Sequence, residues 1–335
     1  MAEIRELVCK GRDSWWTVLL VDPLAVRLVR WIARYTRITP DQVTWAALVL
    51  GVGAAGCFVQ GGPGWLAAGA LLYHLSFVLD CVDGKLARLQ GSGTLLGGWL
   101  DYVLDRVRVG CCALALMAGQ WIAQGERGYL VLGALVVFLD MFRYLNVLMI
   151  TQIRSAMRDQ VVGHRAFRHG GPPVFIEQLM RQGGDPADAG PAAGSEVVDL
   201  HRGFRRRFPW YVDFRTRLLE LRIRPHLVSG IEFQMAVFIV GPLLGQIVAA
   251  TLVAGAAMAA FEAALVYKLL LSTRDLDLTV RDLSVQHLSV QHLSGKDLAV
   301  QHLAVRHPSG RAAEAPEPTG VLTTASGGRR TPGVE

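Results

Sequence analysis

Long apolar stretches alternate with short polar breaks through most of this chain. Residues 42–60, 64–81, 96–121, 128–150, 232–248 and 250–271 are each strongly apolar, and most approach the ~20 residues that cross a bilayer as a helix. Gly61-Gly62-Pro63-Gly64 divides the first two, and a break near Gly245 divides the short last two. The pattern predicts six spans, with five as the alternative. Upstream, Leu24, Leu28, Trp31, Ile32 and Tyr35 recur at helical spacing, with Arg27, Arg30, Arg34 and Arg37 between them. This predicts a helix over 22–38 lying at the headgroup boundary. Thr39-Pro40 then restarts a helix, with threonine as N-cap and proline in the first turn. Residues 210–223 read as a second interfacial amphipathic helix. The expected fold is an all-α integral membrane protein: six transmembrane helices with an N-terminal interfacial amphipathic helix.

Composition agrees. The 335 residues are 52% hydrophobic and 19% charged, against ~25% charged in soluble domains, and mean hydropathy is +0.33. The net charge of +6 would suit nucleic acid, but its distribution follows membrane topology. Seven Lys and Arg precede the first span, Lys85 and Arg88 lie between the second and third, and thirteen arginines occupy 152–231; the turns on the other side carry only Arg127. Positive charge stays cytoplasmic, so both termini, the loop between spans two and three and the long loop are expected there, in a multi-pass cell-membrane protein with no nucleic-acid partner. No secretory signal peptide opens the chain, so the first span is expected to serve as targeting signal. The expected organisation is a cytoplasmic N-terminus with the interfacial helix (1–41), a six-span domain (42–271) containing the cytoplasmic loop 152–231, and a tail (272–335). The loop's middle, 183–194, is rich in Gly, Pro and Ala and is expected to be disordered. Residues 276–307 repeat with period five, as in LSVQH, which fits no helix or strand face. His287, His292, His302 and His307 offer metal ligands there, but the tail reads as low-complexity and disordered. The five cysteines lack metal-type spacing and read as small buried hydrophobes.

Chemistry concentrates in one window. Asp80 and Asp83 are three residues apart at the end of the second span, and Asp101 and Asp105 four apart in the third, so each pair shares a helix face. A carboxylate near a bilayer is costly without a partner and marks function by default. Gly84 permits close approach of backbone, and Gly97-Gly98 lets the third span come near its neighbour. The four carboxylates can then converge. Hard oxygen ligands select Mg²⁺ or Mn²⁺, and four suit two divalent ions ~3.5–4 Å apart that clamp a transferring phosphoryl group. Arg88 is the natural phosphate partner; Lys85 is weaker, because it could instead meet anionic lipid headgroups. No Walker-type phosphate loop is present.

The full pattern, D-x2-D-G-x2-A-R-x8-G-x3-D-x3-D from Asp80 to Asp105, resembles the signature of the CDP-alcohol phosphotransferases. Thr39-Pro40-Asp41-Gln42-Val43-Thr44 resembles the segment that opens the first span in that family. The resemblance covers about residues 20–271 and leaves out the long loop and the tail. It implies transfer of a substituted phosphate from a CDP-alcohol, with CDP-diacylglycerol foremost, to a polar acceptor alcohol, with release of CMP. It implies two divalent cations: Asp80 and Asp101 touch both, Asp83 one and Asp105 the other, and Asp105 is also the general base. Gly84, Arg88 and Thr94 would contact the CDP-alcohol, and Asp41, Gln42, Val43 and Thr44 would lie against its nucleotide. A homodimer is implied too, and inositol phosphate or glycerol 3-phosphate are plausible acceptors.

Other polar residues lie within the spans. Asp140, Arg143 and Asn146 share one face of the fourth, readable as an Asp140–Arg143 pair or as Arg143 holding an anionic acceptor. Arg224 is a second acceptor candidate, with Glu232 and Glu262 weaker; His74 reads as a packing residue. Two other classes compete. A divalent-cation transporter would explain the carboxylates but predicts them at the bilayer midplane and leaves the Gly and Arg spacing without purpose. A silent membrane scaffold leaves the complete Asp set without purpose.

Overall fold

The computed structural model describes residues 7–166, 174–176 and 197–305, with side chains described over 7–163, 175–176 and 198–281. A π-helical turn (Thr17–Val21) leads into α1 (Asp22–Tyr35). Four long helices follow: α2 (Pro40–Val59), α3 (Pro63–Gln90), α4 (Leu95–Gln124) and α5 (Gly128–Ala166). A two-residue parallel pair, β1 (Val174–Phe175) with β2 (Val197–Val198), precedes two short helices, α6 (Arg202–Arg207) and α7 (Trp210–Glu220). The chain then enters α8 (Gly230–Met235), a π turn (Ala236–Val240), α9 (Gly241–Leu244) and α10 (Ile247–Val305). The chain divides into two units, Met1–Leu283 and Ser284–Glu335; the core and the sites below belong to the first.

Among the described residues four helices are long and apolar enough to cross a membrane: Pro40–Val59, Pro63–Gln90, Gly128–Gly163 and Ile247–Arg281. The other two expected spans fall short for local reasons. The 30-residue α4 carries Asp101, Asp105, Arg106 and Arg108 in its first half. The segment Gly230–Leu244 is a shorter apolar helix, ended where Gly245 takes φ +65°, a left-handed conformation open to glycine. In the tail the backbone is helical through Val305. Residues 306–335, His307 among them, and 183–194 lie outside the described residues.

α1 covers most of residues 22–38 and turns a face beside the Leu24, Trp31, Tyr35 stripe toward the core. Ala25, Val26, Val29 and Ile32 are buried where α1 packs on α3. Leu24, Trp31 and Tyr35 of the expected stripe are exposed. At 100° per residue they form a second apolar stripe beside exposed Arg27, Arg30 and Arg34. Thr39 caps α2 as expected, in a capping box with Gln42.

Gly119 sets the crossing of α2 and α4. A Cβ there would fall inside contact distance of the Phe58 carbonyl oxygen and 2.8 Å from that of Val59. Backbone atoms cannot yield as a side chain can. Gly119→Ala is therefore expected to cost ~1–3 kcal/mol, read as a lower unfolding midpoint in detergent.

An extended strap precedes α1. Asp13 bridges Ile223; the Asp13 N–H donates to the Arg222 carbonyl at 3.0 Å, and the Arg224 N–H donates to the Asp13 carbonyl at 2.9 Å. Trp15 Nε1 donates to the Leu227 carbonyl at 3.0 Å. Arg222, at φ +61°, reaches back to the Lys10 carbonyl at 2.7 Å.

Candidate active site

The site forms where the second half of α3 meets the first half of α4. Thr44, near the start of α2, donates to Asp83 Oδ2 at 2.5 Å, and the Gly84 N–H donates to Oδ1 at 2.5 Å. Arg108 Nη1 donates to Asp80 Oδ1 at 3.3 Å, and its Nη2 pairs with Asp105. One guanidinium thus joins a carboxylate of α3 to a carboxylate of α4. Asp80 also interacts electrostatically with Asp101 and Asp105, and Asp83 with Asp80 and Asp101. The four predicted carboxylates therefore come into one neighbourhood.

Two arginines hold it together. Arg106 pairs with both Asp105 and Asp140. Gln234 Nε2 donates to Asp140 at 2.8 Å, and the Tyr73 hydroxyl donates to Gln234 at 3.3 Å. The Arg106 guanidinium lies 3.4 Å from the centre of the Tyr144 ring, a cation–π contact. Arg108 is 2% exposed and also donates to Ser76 at 3.2 Å. Its side chain fits because residue 51 is glycine: a Cβ there would stand 2.5 Å from Arg108 Cγ. Neither arginine belongs to the expected set. The signal was available, since a cation in an apolar helix within three residues of an aspartate seldom lacks a role.

The remaining predicted residues separate. Arg88 Nε donates to the Val8 carbonyl at 2.8 Å, and its Nη1 lies 3.7 Å from where a Cβ on Gly84 would stand. Thr94 caps α4, accepting from the Gly97 N–H at 2.9 Å. A Cβ on Gly97 would stand 3.4 Å from Asp41 Oδ1, whereas Gly98 faces open space. The Gln42 side chain is engaged by the Thr39 N–H, and Val43 is buried in the core. Lys85 does not face headgroups: it is buried and forms an ion pair at 3.1 Å with Asp22.

Asp140 and Arg143 do not pair with each other. Three residues apart, they diverge by ~60° around the helix, so Asp140 meets Arg106 on α4 while Arg143 meets Glu262 of α10 at 2.9 Å. Asn146 donates to the same Glu262 at 2.5 Å. Glu232 closes a capping box with Ser229, and Arg224 donates to the Ser229 hydroxyl at 2.9 Å. His74 packs edge-on to Trp16. The two acceptor candidates, Arg143 and Arg224, line one cavity of about 470 Å³.

The donor set suits a hard divalent cation in chemistry: four carboxylates, with no sulfur or imidazole among them. Their present arrangement is not a coordination cluster. Among the described residues no three His, Cys, Asp or Glu side chains are placed to hold a metal ion, and Arg106 and Arg108 occupy the oxygens of Asp105.

Among the described residues several helices are long and apolar enough to cross a membrane, and one of them, α3, meets α4 at a buried carboxylate–guanidinium centre. Residues 37–172 match the family model of the CDP-alcohol phosphatidyltransferases. The phosphatidylinositol phosphate synthase of Corynebacterium glutamicum is 34% identical over 92 residues, 28% of this chain and 39% of that protein. The bifunctional IPC transferase and DIPP synthase of Thermococcus kodakarensis is 39% identical over 82 residues, 24% of this chain and 18% of its own length. The chain thus spans less than half the length of these curated relatives. The crystal structure of Mycobacterium tuberculosis phosphatidylinositol phosphate synthase with CDP-DAG bound aligns with a TM-score of 0.36 and 18% identity, covering 74% of this chain and 94% of that one. A second structure of that protein, in complex with manganese and citrate, aligns with a TM-score of 0.34 and 18% identity, covering 73% of this chain and 88% of that one.

Proposed function

We propose that this protein transfers a substituted phosphate from a CDP-alcohol, CDP-diacylglycerol foremost, to an acceptor alcohol with release of CMP, in the synthesis of a phospholipid or related polar lipid. The observation that carries this is Arg108, which joins Asp80 and Asp105 and so brings the two halves of the D-x2-D…D-x3-D pattern together from separate helices. Asp80, Asp83, Asp101 and Asp105 would hold two divalent cations, Mg²⁺ or Mn²⁺. Such ions polarise a diphosphate and neutralise charge on the leaving CMP. Gly84, Arg88 and Thr94 would meet the donor, with Asp41, Gln42 and Thr44 toward its nucleotide; the packed side chain of Val43 leaves only its backbone for that role.

The acceptor oxygen bonds to the phosphorus that carries the donor alcohol, the anhydride bond to CMP breaks, and the hydroxyl proton passes to Asp105. For this, Asp105 must shed a guanidinium. Arg106 can leave it without becoming an unpaired buried charge, because Asp140 remains its partner. Arg143 and Arg224 would meet an anionic group on the acceptor, and Tyr144 joins the two regions. Its ring lies under Arg106, and both it and Arg143 lie close to Gly230.

The same reading includes six spans, α1 at the headgroup boundary through its outer apolar stripe, and a homodimer. It also places the site, the 152–231 loop and both termini on the cytoplasmic side, with domain limits at 1–41, 42–271 and 272–335. A permeation role fits less well, because the carboxylates lie toward the helix ends that α3 and α4 share rather than at mid-helix.

The test is CMP release by purified protein in lipid nanodiscs, with CDP-diacylglycerol, Mg²⁺ or Mn²⁺, and acceptors supplied singly. Release is expected with one acceptor, lost on chelation and in Asp101→Ala. Chelation with no effect on release would overturn the metal assignment. In the same assay Arg88→Lys keeps the charge but loses the two-pronged guanidinium, so the donor KM is expected to rise about tenfold with little change in kcat.

A further inference from the structure

The cavity that holds Arg143 and Arg224 is larger and more basic than one phosphate requires. Seven of its lining residues are Arg or Lys, and none is Asp or Glu. It runs lengthwise between α5 and α10. Arg143 and Arg154 both line it, and eleven residues of helix set their Cα atoms ~16 Å apart. The cations are pinned at separate ends. At the inner end Arg143 is fixed 2.9 Å from Glu262 and 5.3 Å from the centre of the Phe261 ring. At the outer end Lys268 Nζ sits 4.9 Å from the Phe204 ring and 5.6 Å from that of Tyr211. Arg205 and Arg215, from α6 and α7, complete that end. His226, packed on Phe261, is held down to about 4 by burial first and by Arg224, Arg143 and Lys268 next, so it adds no charge to the wall at pH 7.

A phosphate is ~5 Å across and Arg143 cannot leave its inner post without unpairing Glu262, so one such group does not satisfy both ends. We propose that residues 202–226, which lie beyond the matched family region, build an outer subsite with Arg154 and Lys268 for a second anionic group on the acceptor. The acceptor is then a polyol carrying anionic groups at two separated positions, one toward Arg143 and Arg224, the other toward Lys268. This rests on the transferase reading for the word acceptor, not for the binding itself.

The test is calorimetric binding to the full chain in phosphatidylcholine nanodiscs, without donor or metal, so that it is independent of turnover. Fructose 6-phosphate and fructose 1,6-bisphosphate serve as probes. The bisphosphate is expected to bind about tenfold or more tightly, the size of one added charge-assisted contact. Lys268→Ala is expected to remove that preference while leaving monophosphate binding within about twofold, and Lys268→Arg to keep it. Equal binding of the two probes, or equal weakening of both in Lys268→Ala, would overturn the proposal. Nanodiscs with added phosphatidylglycerol form the last arm. Unchanged preference supports a soluble acceptor; loss of it would assign the cavity to lipid headgroups and overturn the proposal. Bisphosphate preference in a protein that releases no CMP would sink the transferase reading and leave the subsite standing.

Discussion

Asp105→Asn will reduce CMP release by ~10²–10⁴, the range a general base supplies, while the protein remains folded. The side chain keeps its shape but loses its negative charge and its capacity to take a proton. The fold should survive, because Arg106 keeps Asp140 and Arg108 keeps Asp80 as carboxylate partners, so no buried guanidinium is stranded. Initial rates in nanodiscs at saturating donor measure the loss, and Mn²⁺ binding followed by electron paramagnetic resonance tests the remaining site. Weakened but detectable Mn²⁺ binding with negligible turnover is the expected pair of results. Activity above about a tenth of the parent would remove Asp105 as the base.

Lys85→Met is expected to be among the most destabilising single changes outside the carboxylate centre. Lys85 and Asp22 are each nearly inaccessible, with Nζ and Oδ1 at 3.1 Å, and the next cation near Asp22 is Arg222 at 3.8 Å. Removing the ammonium leaves a carboxylate buried with a poorer partner, a change that typically costs ~3–5 kcal/mol. Replacing both partners with apolar groups removes the stranded charge, so Lys85→Met with Asp22→Leu should recover most of the loss. Unfolding midpoints in detergent measure this. Turnover of the double variant separates structure from chemistry: near-parental activity is expected, whereas a folded but inactive protein would return Lys85 to the donor site.

Helices were legible wherever periodicity and punctuation agreed. Gly61 to Gly64, Thr39-Pro40 and Gly245 act through local backbone geometry, and each marks a boundary that the structure places within a few residues. The motif's four carboxylates were legible for a related reason: spacings of three and four fix a shared face on any helix. Partnership between helices was less accessible. Which carboxylate meets Arg143, whether Lys85 faces lipid or Asp22, and which side of α1 is inward depend on rotation and approach of neighbouring helices, and one-dimensional spacing carries neither. Arg106 and Arg108 show the difference. Their presence in an apolar segment was visible, but their partners Asp80 and Asp140 come from other helices. The space for Arg108 is created by Gly51, 57 positions earlier.

The strap before α1 bears on how the chain is made. Trp15 finds its carbonyl partner at Leu227, 212 residues downstream, and Asp13 meets Arg222 and Arg224 in the same stretch. During synthesis at ~5–20 residues per second, the strap emerges tens of seconds before the ribosome delivers its partner. Through that interval Trp15 and Trp16 have only the early helices and the bilayer surface for company. Arg88, which holds the Val8 carbonyl, belongs to α3 and arrives well before residue 222. The strap can therefore be tethered at one end first and closed last, so its closure marks a nascent chain whose distant halves have met.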